Sequence, residues 1–393
     1  MSDGASASQF ETLQSQPADA LLGLIDAFRA DPRPDKIDLG VGVYRDDAGA
    51  TPVMHAVKAA ETELLRDQAS KSYLGPEGDA RFVALLEPLV FGDAGTGLTG
   101  IQTPGGTGAL RLGAELLQRA RPGARVWLGL PTWPNHASIF EAAGLQVVTH
   151  PYYDAASRGI DFAGMMAALL TGRAGDIVLL HGSSHNPTGT DLATAQWSDI
   201  IDLIADRRMI PFVDFAYHGL GYGLDADAAG LRLCLERIPE VLVAYSCDKN
   251  FGLYRERVGA LWARGSEAGV TRRLRENQLA LARVSWSMPP DHGAAIVRTI
   301  LESPELTADW RAELEAMRVR LASLRASLAS TDPRLDYIAR GSGMFAMLPI
   351  NVAAVARLRA DHGVYMVGSG RINIAGLHYD TVGRFAAALA PLL

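Results

Sequence analysis

Residues 241–252 read Val241-Leu242-Val243-Ala244-Tyr245-Ser246-Cys247-Asp248-Lys249-Asn250-Phe251-Gly252. The apolar run Val241–Tyr245 is too short for a helix and passes at once into a polar, Gly-containing loop, which marks a buried strand. The same pattern recurs at Val126–Leu130, Ile177–His181 and Pro211–Val213, each followed by Gly, Pro, Asn, Asp or Ser. Helical patterns such as Gly108–Ala120 and Thr194–Arg207 lie between them. Buried strands alternating with helices predict an α/β fold: a mostly parallel central sheet in a large domain, with helices on both faces. Ligands bind such sheets beyond the carboxyl ends of the strands. The unusual residues sit there: Thr132-Trp133-Pro134-Asn135, His185-Asn186-Pro187, Asp214-Phe215-Ala216-Tyr217 and Ser246 to Lys249.

Outward from this centre the patterns change. The first 15 or so residues are small and polar and are expected to be disordered until the apolar stretch Leu21–Phe28. Pro32 and Pro34 then precede the short apolar segment Ile37–Tyr44. Towards the other end a boundary falls near Ser303-Pro304. Beyond it Trp310, Leu314, Met317, Leu321, Leu324 and Leu328 mark one face of a long amphipathic helix. The stripe ends after about three heptads, so it reads as core packing and not as a coiled coil. Two short strand-like runs and two helices complete the chain. The expected organisation is a smaller α+β domain from residues 1–44 and 304–393, and a large domain over 45–303.

The 393 residues are 48% hydrophobic and 21% charged, ordinary for a globular protein. With 37 basic and 44 acidic side chains and a formal charge of −7, the chain lacks the clustered cations that phosphate backbones require. Small-molecule chemistry is favoured over nucleic acid. The start, MSDGASASQF, has no basic or apolar signal-peptide region, and no apolar run approaches membrane-spanning length. Cys234 and Cys247 form no CxxC pair and suggest neither a metal site nor a disulfide framework, in keeping with a reducing cytoplasm.

Three segments carry candidate chemistry. Thr103-Pro104-Gly105-Gly106-Thr107-Gly108 is a Gly-rich turn opening a helix, where free N–H groups and the helix dipole suit a phosphate. Glycine also serves such turns for purely steric reasons, and both readings stand. Lys249, just past a buried strand, is costly as a buried cation unless it forms an imine, and Arg257 supplies a bidentate phosphate grip. A solvated surface lysine is the plainer reading. Asp214 ends a strand, where it either pairs with a protonated ring nitrogen or caps a turn. Tyr217 follows it within reach of the same ring.

Taken together, and in this order, these words resemble the class I aminotransferases of the aspartate and aromatic amino-acid branch, which are pyridoxal 5'-phosphate (PLP) enzymes. The resemblance runs from Ile37-Asp38-Leu39-Gly40-Val41-Gly42-Val43-Tyr44 to Ser369-Gly370-Arg371-Ile372-Asn373. It includes Ser72-Tyr73-Leu74-Gly75, Pro131 to His136, His185 to Gly189, Lys249 to Gly252 and Arg283 to Ser287. The resemblance implies that Lys249 holds PLP as an imine and shuttles the substrate α-proton. Asp214 would pair with the pyridine nitrogen, Tyr217 and Asn186 would contact the phenolate oxygen, and Trp133 would stack on the ring. Gly106, Thr107, Ser246 and Arg257 would bind the phosphate, joined by Tyr73 of a neighbouring subunit. Arg371 would take the substrate α-carboxylate, with Asn186, Trp133 and the Gly42 backbone beside it. Arg283 would reach across a homodimer to a distal carboxylate. The implied reaction is ping-pong transamination between an L-amino acid and a 2-oxo acid such as 2-oxoglutarate.

This chain departs from the family at several places. Asp248 stands where Ser commonly precedes the lysine; it either points away from the phosphate or raises the imine pKa. Trp286 replaces a common Tyr, and Met288 stands where aspartate enzymes often carry Asn, an apolar change that suits an aromatic substrate. Ser72 and Thr51 lean towards the aspartate type, so the balance is dual specificity. Rival readings are another PLP chemistry, decarboxylation or β-elimination, and a non-catalytic PLP-binding module. His181 and His185 are separated by Gly182-Ser183-Ser184, which denies them a shared helical face, and no zinc site is expected. Neither a GxSxG elbow nor a dinucleotide fingerprint is complete.

Overall fold

The computed structural model describes residues 10–15 and 20–393. The disorder expected at the N-terminus falls largely on residues 1–9 and 16–19, outside the described residues. Seven strands form the central sheet: β1 (Leu98–Pro104), β2 (Arg125–Leu130), β3 (Gln146–Pro151), β4 (Ile177–His181), β5 (Ile210–Phe215), β6 (Val241–Ser246) and β7 (Val258–Arg264). Their spatial order is β1-β7-β6-β5-β4-β2-β3, and only β7 runs against the others. The sheet is therefore mostly parallel, as the short apolar runs predict.

Side-chain alternation along these strands supplies two cores. Val126, Leu128, Ile177, Leu179, Phe212, Leu242, Ala244 and Leu261 face one side, against helices α1 (Gly105–Ala120) and α3 (Ala268–Ser285). Trp127, Val178, Leu180, Val213, Phe215, Val243, Tyr245 and Trp262 face the other, whose cover includes α2 (Thr194–Arg207) and α4 (Pro304–Ala329). Residues two apart share a face, so one run of apolar residues fills both layers. Close approach demands a small residue at one contact: a Cβ at Gly113 of α1 would stand 2.4 Å from Phe212 Cζ of β5.

Both chain ends meet outside this sheet. Ile37–Asp38 pairs in parallel with Val364–Tyr365, and Phe345–Met347 pairs antiparallel with Arg371–Asn373. The expected apolar segment Ile37–Tyr44 is strand only at its first two residues. Asp38 Oδ1 accepts the Gly40 N–H at 2.9 Å, which turns the chain away and sends Val41 and Gly42 towards the site. The C-terminal part holds three short strands and the helices Tyr337–Arg340, Val352–His362 and Tyr379–Leu389, more than the two runs and two helices expected. Strands of two or three residues pair with distant segments and leave no periodicity to read. All six stripe residues of α4 are buried, and Trp310 stacks on Phe251 at 4.3 Å.

Candidate active site

Sheet topology brings the candidate residues together. β1 ends at Pro104 opposite Val258, where β7 begins, and Gly259 pairs with Ser246 at the end of β6. The mouth of α1, the residue before β7 and the loop after β6 therefore converge, uniting Gly105, Gly106, Arg257 and Ser246 to Lys249. The parallel neighbours β5, β4 and β2 deliver Asp214, Asn186 and Trp133 to the same end.

A cavity of about 310 Å³ is lined by Gly42, Gly106, Thr107, Trp133, Asn186, Asp214, Tyr217, Asp248, Lys249, Arg257 and Arg371. Helix α1 starts at Gly105, three residues before the amphipathic pattern becomes visible. Its N-cap residue, Pro104, makes no side-chain cap, and the first N–H groups of such a helix suit an anion. Gly105 has φ +68°, and a Cβ there would lie 2.7 Å from Arg257 Nη2, so the cradle admits only glycine. Arg257 itself sits in the left-handed region at φ +53° and directs Nη2 to Thr107 Oγ1 at 3.4 Å. Ser246 is fully buried behind Gly106 and does not itself line the cavity; its Oγ accepts the Asp248 N–H at 3.2 Å.

Beside the cradle lies Lys249, half-buried, with Nζ 5.2 Å from the centre of the Tyr217 ring. Burial lowers its amine below the ordinary lysine range, against the opposing pull of Asp248 and Asp214. Burial works to raise the Asp214 carboxyl, yet the hydrogen bond with His136 Nε2, 3.0 Å from Oδ2, and the neighbouring Lys249 amine hold it below the ordinary carboxylate range. A buried relay continues from His136 Nδ1 to Thr132 Oγ1 at 2.8 Å and on to His181 Nε2 at 3.1 Å. Burial and the neighbouring His136 push His181 down to about 3. Burial raises the Tyr217 hydroxyl above the ordinary phenol range, so it stays a donor at neutral pH.

Arg371 closes the far side. Its Nη2 donates to Gly40 O at 2.6 Å, its guanidinium lies 4.8 Å from the Phe345 ring centre, and its Nε is buried without a partner among the described residues. Among the described residues Asn186 Oδ1 likewise has no partner and is buried. Such atoms need a hydrogen-bonding guest.

Two expected residues lie elsewhere. Tyr73 is 93% exposed, and Arg283 is exposed with its Nη1 on Ser287 Oγ; neither lines this cavity. Thr51 and Ser72 are also outside it. Thr51 Oγ1 donates to Tyr44 O beside a separate cavity of about 360 Å³, and Ser72 is exposed beside Ser70. Met288 Sδ contacts the Leu74 N–H at 2.9 Å, and Trp286 Nε1 is buried without a partner among the described residues. Of the two orientations open to Asp248, the carboxylate takes the inward one, on Arg257. Sequence reasoning gave no role to His136, His181 or Phe345. His136 stood within a quoted motif, but nothing local connects it to a carboxylate 78 residues away.

A mostly parallel sheet that gathers a lysine with a lowered amine, a carboxylate held below its ordinary range and a Gly-rich helix mouth beside an arginine at one end fits a PLP enzyme. The family profile described as aminotransferase class I and II matches residues 34–389. The chain is 55% identical to the tyrosine aminotransferase of Rhizobium meliloti over 98% of this chain and all of that one. It is 41% identical to the aspartate aminotransferase of Escherichia coli, again over 98% of this chain and all of the relative. A solved aromatic-amino-acid aminotransferase from Burkholderia pseudomallei, covalently bound to pyridoxal phosphate, superposes with a TM-score of 0.96 at 39% identity, covering 98% of this chain and all of that one. The chain belongs to the class I and II aminotransferases and catalyses PLP-dependent transamination.

Proposed function

We propose that this chain exchanges amino groups between 2-oxoglutarate and both dicarboxylic and aromatic L-amino acids, using Lys249 as its reactive amine. The observation that carries the reading is Lys249 itself: an amine depressed by burial, set between the Asp214 carboxylate and the Arg257 cradle, in one cavity with Arg371. Bound there, PLP supplies an aldehyde that condenses with amines and a ring that accepts the electron pair of a broken Cα–H bond.

The side chains divide the remaining work. The α1 mouth at Gly106 and Thr107, with Ser246 and Arg257, would bind the phosphate. Asp214 offers a fixed negative charge to the ring nitrogen, and His136 keeps that carboxylate oriented. Trp133 forms a wall for the ring, while Tyr217 and Asn186 supply hydrogen bonds at its oxygen. Arg371 presents a planar fork to the α-carboxylate beside Asn186, Trp133 and Gly42, which fixes the Cα–H bond in space. Lys249 Nζ then takes and returns the α-proton as general base and acid.

Relatives named tyrosine and aspartate aminotransferases support both substrate classes. We read the chain as a homodimer in which Tyr73 and Arg283 serve the opposite site. Their exposure in one chain, beside exposed Leu74 and Val284, supports this. Residues 1–44 and 304–393 would form the smaller domain against a large domain over 45–303. Two free buried cysteines fit a cytoplasmic setting. Borohydride reduction of the holoenzyme followed by peptide mapping is expected to place one stable cofactor adduct on Lys249. An adduct at any other lysine would remove the basis of the assignment. Initial rates with aspartate, glutamate, tyrosine and phenylalanine against 2-oxoglutarate are expected to be measurable for both classes, and inactivity with either would defeat dual specificity.

A further inference from the structure

Asp248 places a negative charge where the cradle is built to receive one. It is 1% exposed and lines the cavity with Gly106, Thr107 and Arg257. Both carboxylate oxygens are engaged: Oδ2 accepts from Arg257 Nη1, and Oδ1 accepts the Val258 N–H at 3.1 Å. The Asp248 N–H donates to Ser246 Oγ at 3.2 Å. A Cβ at Gly105 would lie 3.1 Å from Asp248 Oδ2, so the carboxylate also borders the first residue of α1. Three groups assigned to an incoming phosphate, namely Arg257, Ser246 and the α1 mouth, are thus all touched or bordered by one residue of the chain.

A carboxylate and a phosphate offer a guanidinium the same feature, a pair of anionic oxygens that match its planar fork. Arg257 cannot give both its full charge. Two anions facing one guanidinium also repel each other, with the Asp248 carboxylate buried although the Arg257 side chain is partly exposed. Asp248 is buried and held at both oxygens, so moving away from that repulsion would break both contacts.

We propose that Asp248 is an internal counter-anion, a positioning residue that holds the Arg257 guanidinium in place without phosphate and competes with the phosphate when cofactor binds. The proposal rests on reading this cradle as the phosphate site. Its consequence falls on the amine form of the cofactor, which has no covalent bond to Lys249 and is retained by noncovalent contacts alone. This chain releases that form more readily than it would with a neutral residue at 248.

The test uses full-length apoprotein of the wild type, Asp248→Ser and the near-isosteric Asp248→Asn. Each is titrated calorimetrically with pyridoxamine phosphate, with pyridoxamine lacking the phosphate, and with inorganic phosphate. Both variants are expected to bind pyridoxamine phosphate about tenfold tighter or better, as removal of a facing like charge allows. Inorganic phosphate should follow the same order, and pyridoxamine should bind all three proteins alike. The Asn variant decides if the Ser variant folds poorly. Equal or weaker binding of pyridoxamine phosphate by the variants, with wild-type binding intact, overturns the proposal and leaves the cofactor site standing. A gain shared by pyridoxamine also overturns it, because the effect would then lie in the ring pocket. Absence of pyridoxamine phosphate binding in all three proteins overturns the cradle reading as well.

Discussion

Arg371 and His181 each place a property of the whole protein on a single side chain. Arg371 is pinned by Gly40 O and backed by the Phe345 ring, so its remaining donors are aimed before substrate arrives. Arg371→Lys keeps the charge and loses the planar fork. We expect kcat/KM to fall by about 10- to 100-fold, because a charged hydrogen bond is worth roughly 1.5–3 kcal/mol. Steady-state kinetics check this, and an unchanged kcat/KM would mean that the α-carboxylate binds elsewhere. His181 sets an acid limit on the fold. An unfolded chain protonates this imidazole near 6.5, whereas the folded chain resists to about 3. Stability is therefore full above pH 6.5 and is lost as pH falls from there towards 3, by about 1.4 kcal/mol per pH unit for each such proton. Urea unfolding at pH 7, 6 and 5 should show His181→Gln with a slope shallower by about one proton. A slope equal to that of the wild type would contradict the burial argument.

Among the elements, α4 ties the C-terminal part of the chain to the loop carrying Lys249. Trp310 Nε1 donates to Asn250 O at 2.8 Å while its ring lies flat on Phe251. Trp310→Phe leaves that buried carbonyl without its donor, for an expected loss of about 1–3 kcal/mol. Trp310→Ala adds a cavity and should cost about 3–5 kcal/mol. Equilibrium denaturation reads both, and the order Ala worse than Phe is the required result. Elements of this kind were largely legible in the sequence. The α4 stripe and the central strands follow from periodicity, which burial imposes on any sequence that forms them. The first turn of α1 was not legible, because Gly105 to Gly108 are poor helix formers and the pattern begins only after them. Of the three strands of two or three residues near the C-terminus only two runs were expected, because their order comes from partners distant in sequence, as with Ile37 and Val364.

At the scale of the whole molecule, the site divides between what one chain assembles and what it presents outward. Lys249, Asp214, Asn186, Arg257 and Arg371 were legible as separate words, and topology gathers them in one cavity. Tyr73 and Arg283 stay outside that cavity. If they act across a dimer, a chain with Lys249→Ala can repair one with Arg283→Ala. The mixed dimer holds one site with a wild-type lysine facing a wild-type arginine, and about half of its sites should regain activity on dicarboxylic substrates. Unmixed variants supply the baseline, and coexpression that never exceeds their sum would rule out sharing. One feature of the sheet bears on how this chain can be altered. Lys249 and Arg257 are the two shoulders of a single connection between antiparallel neighbours, locked where the Cys247 N–H meets Val258 O at 2.9 Å and Ser246 pairs with Gly259. The backbone spacing between the two residues is thus a fixed ruler. A graft of this chemistry onto another scaffold has to carry the whole 246–259 segment as one cassette, since splicing inside it would recalibrate the distance.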